Sequence, residues 1–399
     1  MIAGTPVLDL DDVASLEAAD SGGILRSAAS GGAQVRATAA TVGDDALTRL
    51  QGLQPRSLVL VSGTGRAARA ATLLQAALGD RAGLPIVSTT TIPQWVGSLD
   101  VVIVAGDDSA DPRLTGTVDR ALRRGAEVVV AAPDEGPMRA AAAGRATVLP
   151  PRVPVLDHNR FLRFLAVGVA VLRAVDPMHI GPLVPDLEEL ADVLDAEALR
   201  DGPHNEAFHN PAKTLAARMR ERRLVLTGDS PAAAVVAQHG AEILLQTAGQ
   251  IAASADLTEA VAANTRLVES AEVAAPGYDP LFHDEQLDGP PPVDRARIFV
   301  ISADSDQVAA RRRLAVFGAG AGVVDADLVN IDAELMGSDA SVPRDAGAEK
   351  TRAPGAGRGS ELEQLAVLAL RLEMAAAYLR LSSGPAAADR PAHYDGGRN

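Results

Sequence analysis

Short, fully apolar runs alternate with segments of helical periodicity along most of this chain. Residues 57–61 (SLVLV) are apolar and β-branched, the pattern of a strand buried on both faces of a parallel sheet. A glycine-containing turn follows, and then an Ala/Leu helix expected over 66–78. Further strands are expected at 85–88, 100–105, 126–131 and 146–149, with helices between them at 113–124 and 137–143. Strands separated by helices of ten or so residues predict βαβ units, and hence a parallel sheet.

The pattern then turns helical and afterwards restarts. Residues 159–175 form a Phe/Leu/Val-rich helix pattern and 186–200 an amphipathic one. Asn210 before Pro211 reads as a cap followed by a proline where a first-turn N–H is spare. The strand–turn–helix motif reappears as a strand at 223–227 (RLVLT), a turn at 228–230 and a long helix at 231–253, with strands at 296–302 and 321–324. RSLVLVSGTG and RRLVLTGDS are parallel openings, which predicts an internal duplication. The expected fold class is α/β: two three-layer units, each a parallel sheet flanked by helices, joined by a helical segment. The expected boundaries are a helical arm at 1–45 (Leu8, Leu10, Val13, Leu16), a first unit at 46–155, a connector at 156–220, a second unit at 221–384 ending in a helix at 361–381, and a disordered tail at 385–399. The Pro/Gly/Asp-rich stretches 271–294 and 337–359 read as loops.

Composition narrows what such a chain can do. It has 399 residues, a formal net charge of −15, 3% aromatics and no cysteine. Disulfides, thiolate zinc sites and a cysteine nucleophile are therefore excluded. An acidic chain with few rings is a poor nucleic-acid binder, because phosphate neutralisation and base stacking need the opposite composition. No run of about 18 apolar residues is free of charge, so no membrane span is expected. The acidic start of the chain does not read as a signal peptide. These features together predict a cytoplasmic protein. Lysine is almost absent: Lys213 and Lys350 are the two present.

The turn Ser62-Gly63-Thr64-Gly65 lies between a strand and a helix, where backbone N–H groups and two hydroxyls favour an anion. It matches G-x-G-x-x-A, but the dinucleotide fingerprint also needs an acid after the second strand, and Ser88-Thr89-Thr90 offers none. A turn needed for sharp geometry alone is the plain alternative. The turn after the third strand carries Asp107, Asp108 and Asp111, either solvated cap residues or part of a pocket at the same sheet edge. His204, Glu206 and His209 have the wrong spacing for one helix face, so no metal site is expected. His239 is either packed, exposed or directed across a subunit contact. Ser230 lacks the nucleophile elbow, and no phosphate-binding P-loop motif exists.

Five segments in order carry a resemblance: LVLVSGTGRAARAA (58–71), IPQWVGSLDVVIVAG (92–106), RALRRGAEVVVAAPDEGPMRAAA (120–142), NPAKTLAARMRERRLVLTG (210–228) and AYLRLSSG (377–384). They resemble sugar isomerase (SIS) proteins, and in particular the bifunctional phosphoglucose/phosphomannose isomerases. The resemblance implies two SIS domains, a homodimer, no cofactor, and a hexose phosphate ligand of the glucose 6-phosphate, mannose 6-phosphate or fructose 6-phosphate class. It assigns phosphate or substrate contacts to Ser62, Gly63, Thr64, Gly65, Ser109, Gly228 and Ser230, with Thr115 a further hydroxyl. Aldose–ketose isomerisation needs a carboxylate base, a ring-opening His or Lys, and a cation at the enediolate. The resemblance matches Arg160 to the cation, with Arg152 its rival; Glu242, the acid closest to the expected base position and one helical turn before it, would be the base of a reorganised site.

The chain departs from the family at the base position, which falls near Gln246 or Thr247. It departs again at the ring-opening position near Ala263, where Glu259 is the nearby acid, and at the C-terminal lysine, which has no counterpart. Two readings follow: a sugar-phosphate-binding protein with a degenerate site, or an active isomerase with a reorganised one. A non-enzymatic regulatory protein is a third.

Overall fold

The computed structural model describes residues 8–273, 295–303, 324–331 and 360–383, together with Arg312, Leu314, Ala315 and Phe317. The first sheet is wholly parallel, in the order β2-β1-β3-β4-β5, from β1 (Ser57–Ser62), β2 (Ile86–Thr89), β3 (Asp100–Ala105), β4 (Glu127–Ala131) and β5 (Thr147–Val148). The second, also parallel, has the order β7-β6-β8-β9, from β6 (Arg223–Gly228), β7 (Ala252–Asp256), β8 (Ala296–Ile301) and β9 (Val324–Val329). The two openings that match in sequence are thus the same structural element: β1 and β6 each lie between the first crossover strand and the next one.

Residue alternation sorts the core into layers. Leu58, Leu60 and Ile103 point from the first sheet into a large central core, and Val59, Val61, Val102 and Val104 point out of its other face. The outer face is closed by α5 (Pro112–Arg123) and α6 (Gly136–Ala142). Phe299 and Ile301 of the second sheet join the same central core, while Ile298 and Val300 pack outward under α11 (Leu257–Val273). Between the sheets run α4 (Arg66–Leu78), α7 (Phe161–Val175), α10 (Pro231–Ile243) and α12 (Glu361–Ser382). The helices α7 and α12 are buried on nearly every side, and most of their residues are apolar accordingly.

Residues expected to form an arm at the start of the chain are three helices, α1 (Val13–Ala19), α2 (Ile24–Ala29) and α3 (Gly31–Gly43), which set Leu16, Leu25 and Val35 into the central core. The expected connector contains α7, α8 (Leu187–Arg200) and α9 (Pro211–Met219), the last capped by Asn210, whose Oδ1 accepts from the Lys213 N–H. The long helix expected over 231–253 is broken. It ends at Ile243, passes through one wide turn at Leu244–Ala248 and stops at Gly249, whose φ of 67° is left-handed; β7 then begins at Ala252. The loop expected from 271 begins later, since α11 runs to Val273; its remainder, residues 321–323 of the expected last strand, the 337–359 loop and the 385–399 tail lie outside the described residues.

Among the connector's buried polar groups, Asp201 makes a testable statement. Its Oδ1 accepts from the Ala212 N–H at 3.0 Å, and its Oδ2 has no hydrogen-bond partner. Burial, with Glu197 nearby, pushes the carboxyl up to about 7. The folded state therefore holds a proton that the unfolded state releases near pH 4, so stability falls as pH rises from about 4 to 7. Asp201→Asn keeps the bond to Ala212 and removes the titration. Urea unfolding of the variant should show a stability slope more positive than that of wild type by roughly 1.4 kcal/mol per pH unit in that window. Equal slopes would show that Asp201 ionises freely.

Candidate functional site

The two homologous turns are built differently. In the second sheet, β6 ends at Gly228 and α10 starts only three residues later. A Cβ at Gly228 would lie 2.1 Å from the Ala234 nitrogen, so strand and helix backbones touch there. Ser230 Oγ caps α10 by accepting from the Ala233 N–H, and Asp229 accepts a hydrogen bond from the buried Ser302 hydroxyl at 2.5 Å. Gly228 and Ser230, both expected as substrate contacts, are engaged in closing this turn.

In the first sheet one more residue separates strand from helix. Gly65, at φ 74°, occupies the cap position of α4, and no side chain caps that helix. Ser62 is buried at the strand end, Thr64 is exposed, and a Cβ at Gly63 would meet only the tips of Arg113 and Asp111, 3.8 Å away. The turns after β1 and β3 therefore face each other across the carboxyl edge of the sheet. The acids of the second turn are largely answered: Asp111 caps α5 and pairs with Arg113 at 3.0 Å, and Asp107 pairs with Arg160 at 2.9 Å. Ser109 donates weakly to Glu135 at 3.4 Å, and Thr115 donates to the Asp111 carbonyl at 3.1 Å. Arg160 also binds Asp157 at 2.7 Å, while Arg152 is exposed. Arg163, one turn further along, is buried, donates to the Leu149 carbonyl at 2.9 Å and is lowered to about 10 by desolvation.

Behind this edge lies a cluster the sequence did not reveal. Arg66 opens α4 and is buried. Its guanidinium reaches Glu242 at 2.8 Å, His239 Nδ1 at 2.9 Å and Gln246 at 3.5 Å, all from α10 and the turn after it. Arg69, one turn on, donates to Glu242 and to Gln238. The expected base is thus a carboxylate clamped by two arginines. His239 is not at a subunit contact: it is fully buried, stacked on Phe161 at 4.2 Å, with Nε2 3.0 Å from Glu373 of α12. Because the Arg66 guanidinium only donates, Nδ1 must accept and the imidazole proton sits on Nε2, directed at Glu373. Burial, reinforced by Arg66 and Arg69, holds His239 well below its usual range, so it is neutral. Glu373 Oε2 accepts from Asn159 at 2.7 Å, and Asn159 in turn accepts from Ser27 and Gln34 of α2 and α3. Both Glu373 oxygens face donors, which suits the carboxylate; burial raises the cost of that charge and pushes the carboxyl up to about 8.

A pocket of about 400 Å³ opens between α4, α10 and β7, lined by Arg69, Gln238, Glu242, Leu245, Ile251 and Ser254. It lies beside the Arg66–Arg69–Glu242 cluster rather than over the Ser62–Gly65 turn. Glu259, near the ring-opening position, is exposed on α11. His204 is exposed near Glu17, and His209 packs edge-on against Phe208; among the described residues no group of His, Asp or Glu is arranged to hold a metal ion. No helix among them is long and apolar enough to cross a membrane.

No protein-family model matches the chain, and no curated protein does either. Solved structures do. A tagatose-6-phosphate ketose/aldose isomerase from Escherichia coli superimposes with a TM-score of 0.56 at 11% identity, over 90% of this chain and 92% of that one. The C-terminal domain of glucosamine-fructose-6-phosphate aminotransferase from Francisella tularensis gives 0.55 at 9% identity, over 90% and 95%. A glucosamine-6-phosphate deaminase from Thermotoga maritima gives 0.50 at 10%, over 83% and 87%. The likeness is one of fold: two parallel α/β units in the arrangement of SIS-type, phosphosugar isomerase-like proteins.

Proposed function

We propose that this chain binds a hexose phosphate of the glucose 6-phosphate or mannose 6-phosphate class and does not isomerise it. The observation that carries the reading is the uncapped start of α4 at the carboxyl edge of the first sheet, with Arg66 and Arg69 on its first turn. Free first-turn N–H groups and the positive end of the helix suit a phosphoryl group, with Ser62 and Thr64 beside it. Ser109 and Asp107 lie on the facing turn, with Arg160 reaching Asp107 from the start of α7.

The case against turnover is chemical. A base must be free to take a proton, whereas Glu242 is held by two guanidiniums, and the Arg160 cation is matched by Asp107 and Asp157. Gln246, in contact with Arg66, has no basic group. The second reading, an isomerase using Glu242, draws support from that carboxylate lining the adjacent pocket.

A coupled assay with glucose 6-phosphate and mannose 6-phosphate, run beside thermal unfolding with and without each ester, separates the two. The expected result is a higher unfolding temperature with the esters, none with the parent hexoses, and no ketose product. Turnover abolished in Glu242→Gln would replace this reading with the isomerase. No stabilisation by any ester would end both.

A further inference from the structure

The buried cluster behind α4 has one charge that ligand binding does not require and that nothing at the surface can reach. Glu373 stands on the central helix α12, two residues from Arg371, which is itself engaged by Glu197 of α8 at 2.7 Å and by the Asn330 carbonyl. The groups facing Glu373 are His239 from α10, Asn159 from the segment before α7 and, through the histidine ring, Arg66 from α4. Arg66 in turn meets Glu242, and Arg69 completes the set. His158, half-buried, is lowered by burial and by Arg66 and is neutral. Two arginines and two carboxylates thus share one junction, with Arg66 and Glu373 buried and Arg69 and Glu242 open to the adjacent pocket. With Glu373 ionised the junction is neutral; with Glu373 protonated it carries one positive charge.

We propose that Glu373 regulates the anion site: its charge competes with the ligand's for the Arg66–Arg69 pair, so that a phosphate ester at the start of α4 binds together with a proton. This rests on the phosphate reading given above. The histidine cannot take that proton, because Nδ1 is committed to accepting from Arg66 and a second cation there would face the guanidinium. The proton goes to the Glu373 carboxyl, whose neutral form leaves an arginine charge unmatched for the incoming anion. In the free protein, burial pushes this group up to about 8. A nearby anion raises that value further, so above it the complex holds more protons than the free protein, and affinity falls as pH rises. Below about pH 7 the carboxyl is protonated in both states and the linkage vanishes. A phosphate monoester completes its own second ionisation near pH 6, and ordinary histidines titrate at about 6.5, so neither supplies a slope above pH 8.

Calorimetric titration with glucose 6-phosphate at pH 7, 8 and 9, each in two buffers of different ionisation enthalpy, reads proton uptake directly. The expected result is little uptake at pH 7, uptake approaching one proton at pH 9, and a dissociation constant that rises about fivefold between pH 8 and 9. Glu373→Gln, a neutral stand-in for the protonated acid, is expected to bind with no uptake and no such slope. Binding without proton uptake in the wild type at pH 9, or an unchanged slope in Glu373→Gln, overturns the proposal and leaves the phosphate reading standing. No binding of glucose 6-phosphate at any pH overturns both. The wild-type buffer comparison decides even if the variant fails to fold.

Discussion

Arg66→Met is expected to lower folding stability by about 3 kcal/mol and to do so more at pH 9 than at pH 7. Methionine is close to the arginine stem in length and keeps the packing against α10, so the loss is electrostatic. Removing Arg66 leaves His239 Nδ1 with no donor and Glu373 with no cation across the ring. Glu242 keeps Arg69, which places the effect at the lower end of the cost of breaking a buried pair. At pH 7 Glu373 answers the loss by staying protonated; at pH 9 its charge is buried uncompensated. Urea unfolding at the two pH values checks this. A change under 1 kcal/mol at both would mean that water, rather than Arg66, satisfies the cluster.

A second large effect comes from one methyl group. Gly228→Ala is expected to cost about 3 kcal/mol or more, because the new Cβ would lie 2.1 Å from the Ala234 nitrogen and 2.2 Å from the Ala233 carbonyl carbon. Both are backbone atoms of the first turn of α10, so relief requires moving the helix away from β6. A glycine change in the corresponding turn of the first unit, Gly63→Ala, meets only side-chain tips at 3.8 Å and should be nearly neutral. The pair of denaturation curves thus reports the asymmetry between the turns: one is closed by backbone contact, the other is open. Equal costs at the two sites would remove that asymmetry.

The central strands β1, β3 and β4 are legible in the sequence because they are buried on both faces. Runs such as SLVLV and DVVIVA have no polar alternation because each face of their sheet is covered, and β3 matches its expected span residue for residue. β7 escaped because it is an edge strand of Ala, Ser and Asp, weak strand formers, and follows a helix of similar composition. Gly249 was the available stop signal, and its left-handed φ shows why it is glycine.

The site was legible only in its local part. The Ser62–Gly65 turn could be placed because strand, turn and helix are contiguous. The Arg66–His239–Glu373 chain could not, since its members lie 173 and 134 residues apart and meet only through the stacking of α4, α10 and α12. One trace of it exists in the sequence: Arg371 and Glu373 interrupt the Leu/Ala run of a helix too apolar to face water. Charges in such a place must find partners inside the protein.

The central claim is that a phosphate ester binds at the open turn before α4. Gly63→Asp puts a carboxylate into that turn, in a position with room for a side chain, where an acid also suits the start of a helix. Calorimetric titration of this variant and the wild type with glucose 6-phosphate at pH 7 tests the claim most directly. The account predicts binding by the wild type and at least a tenfold loss in a variant whose folding stability is undiminished. Undiminished binding by Gly63→Asp would contradict it and move the ligand away from this turn.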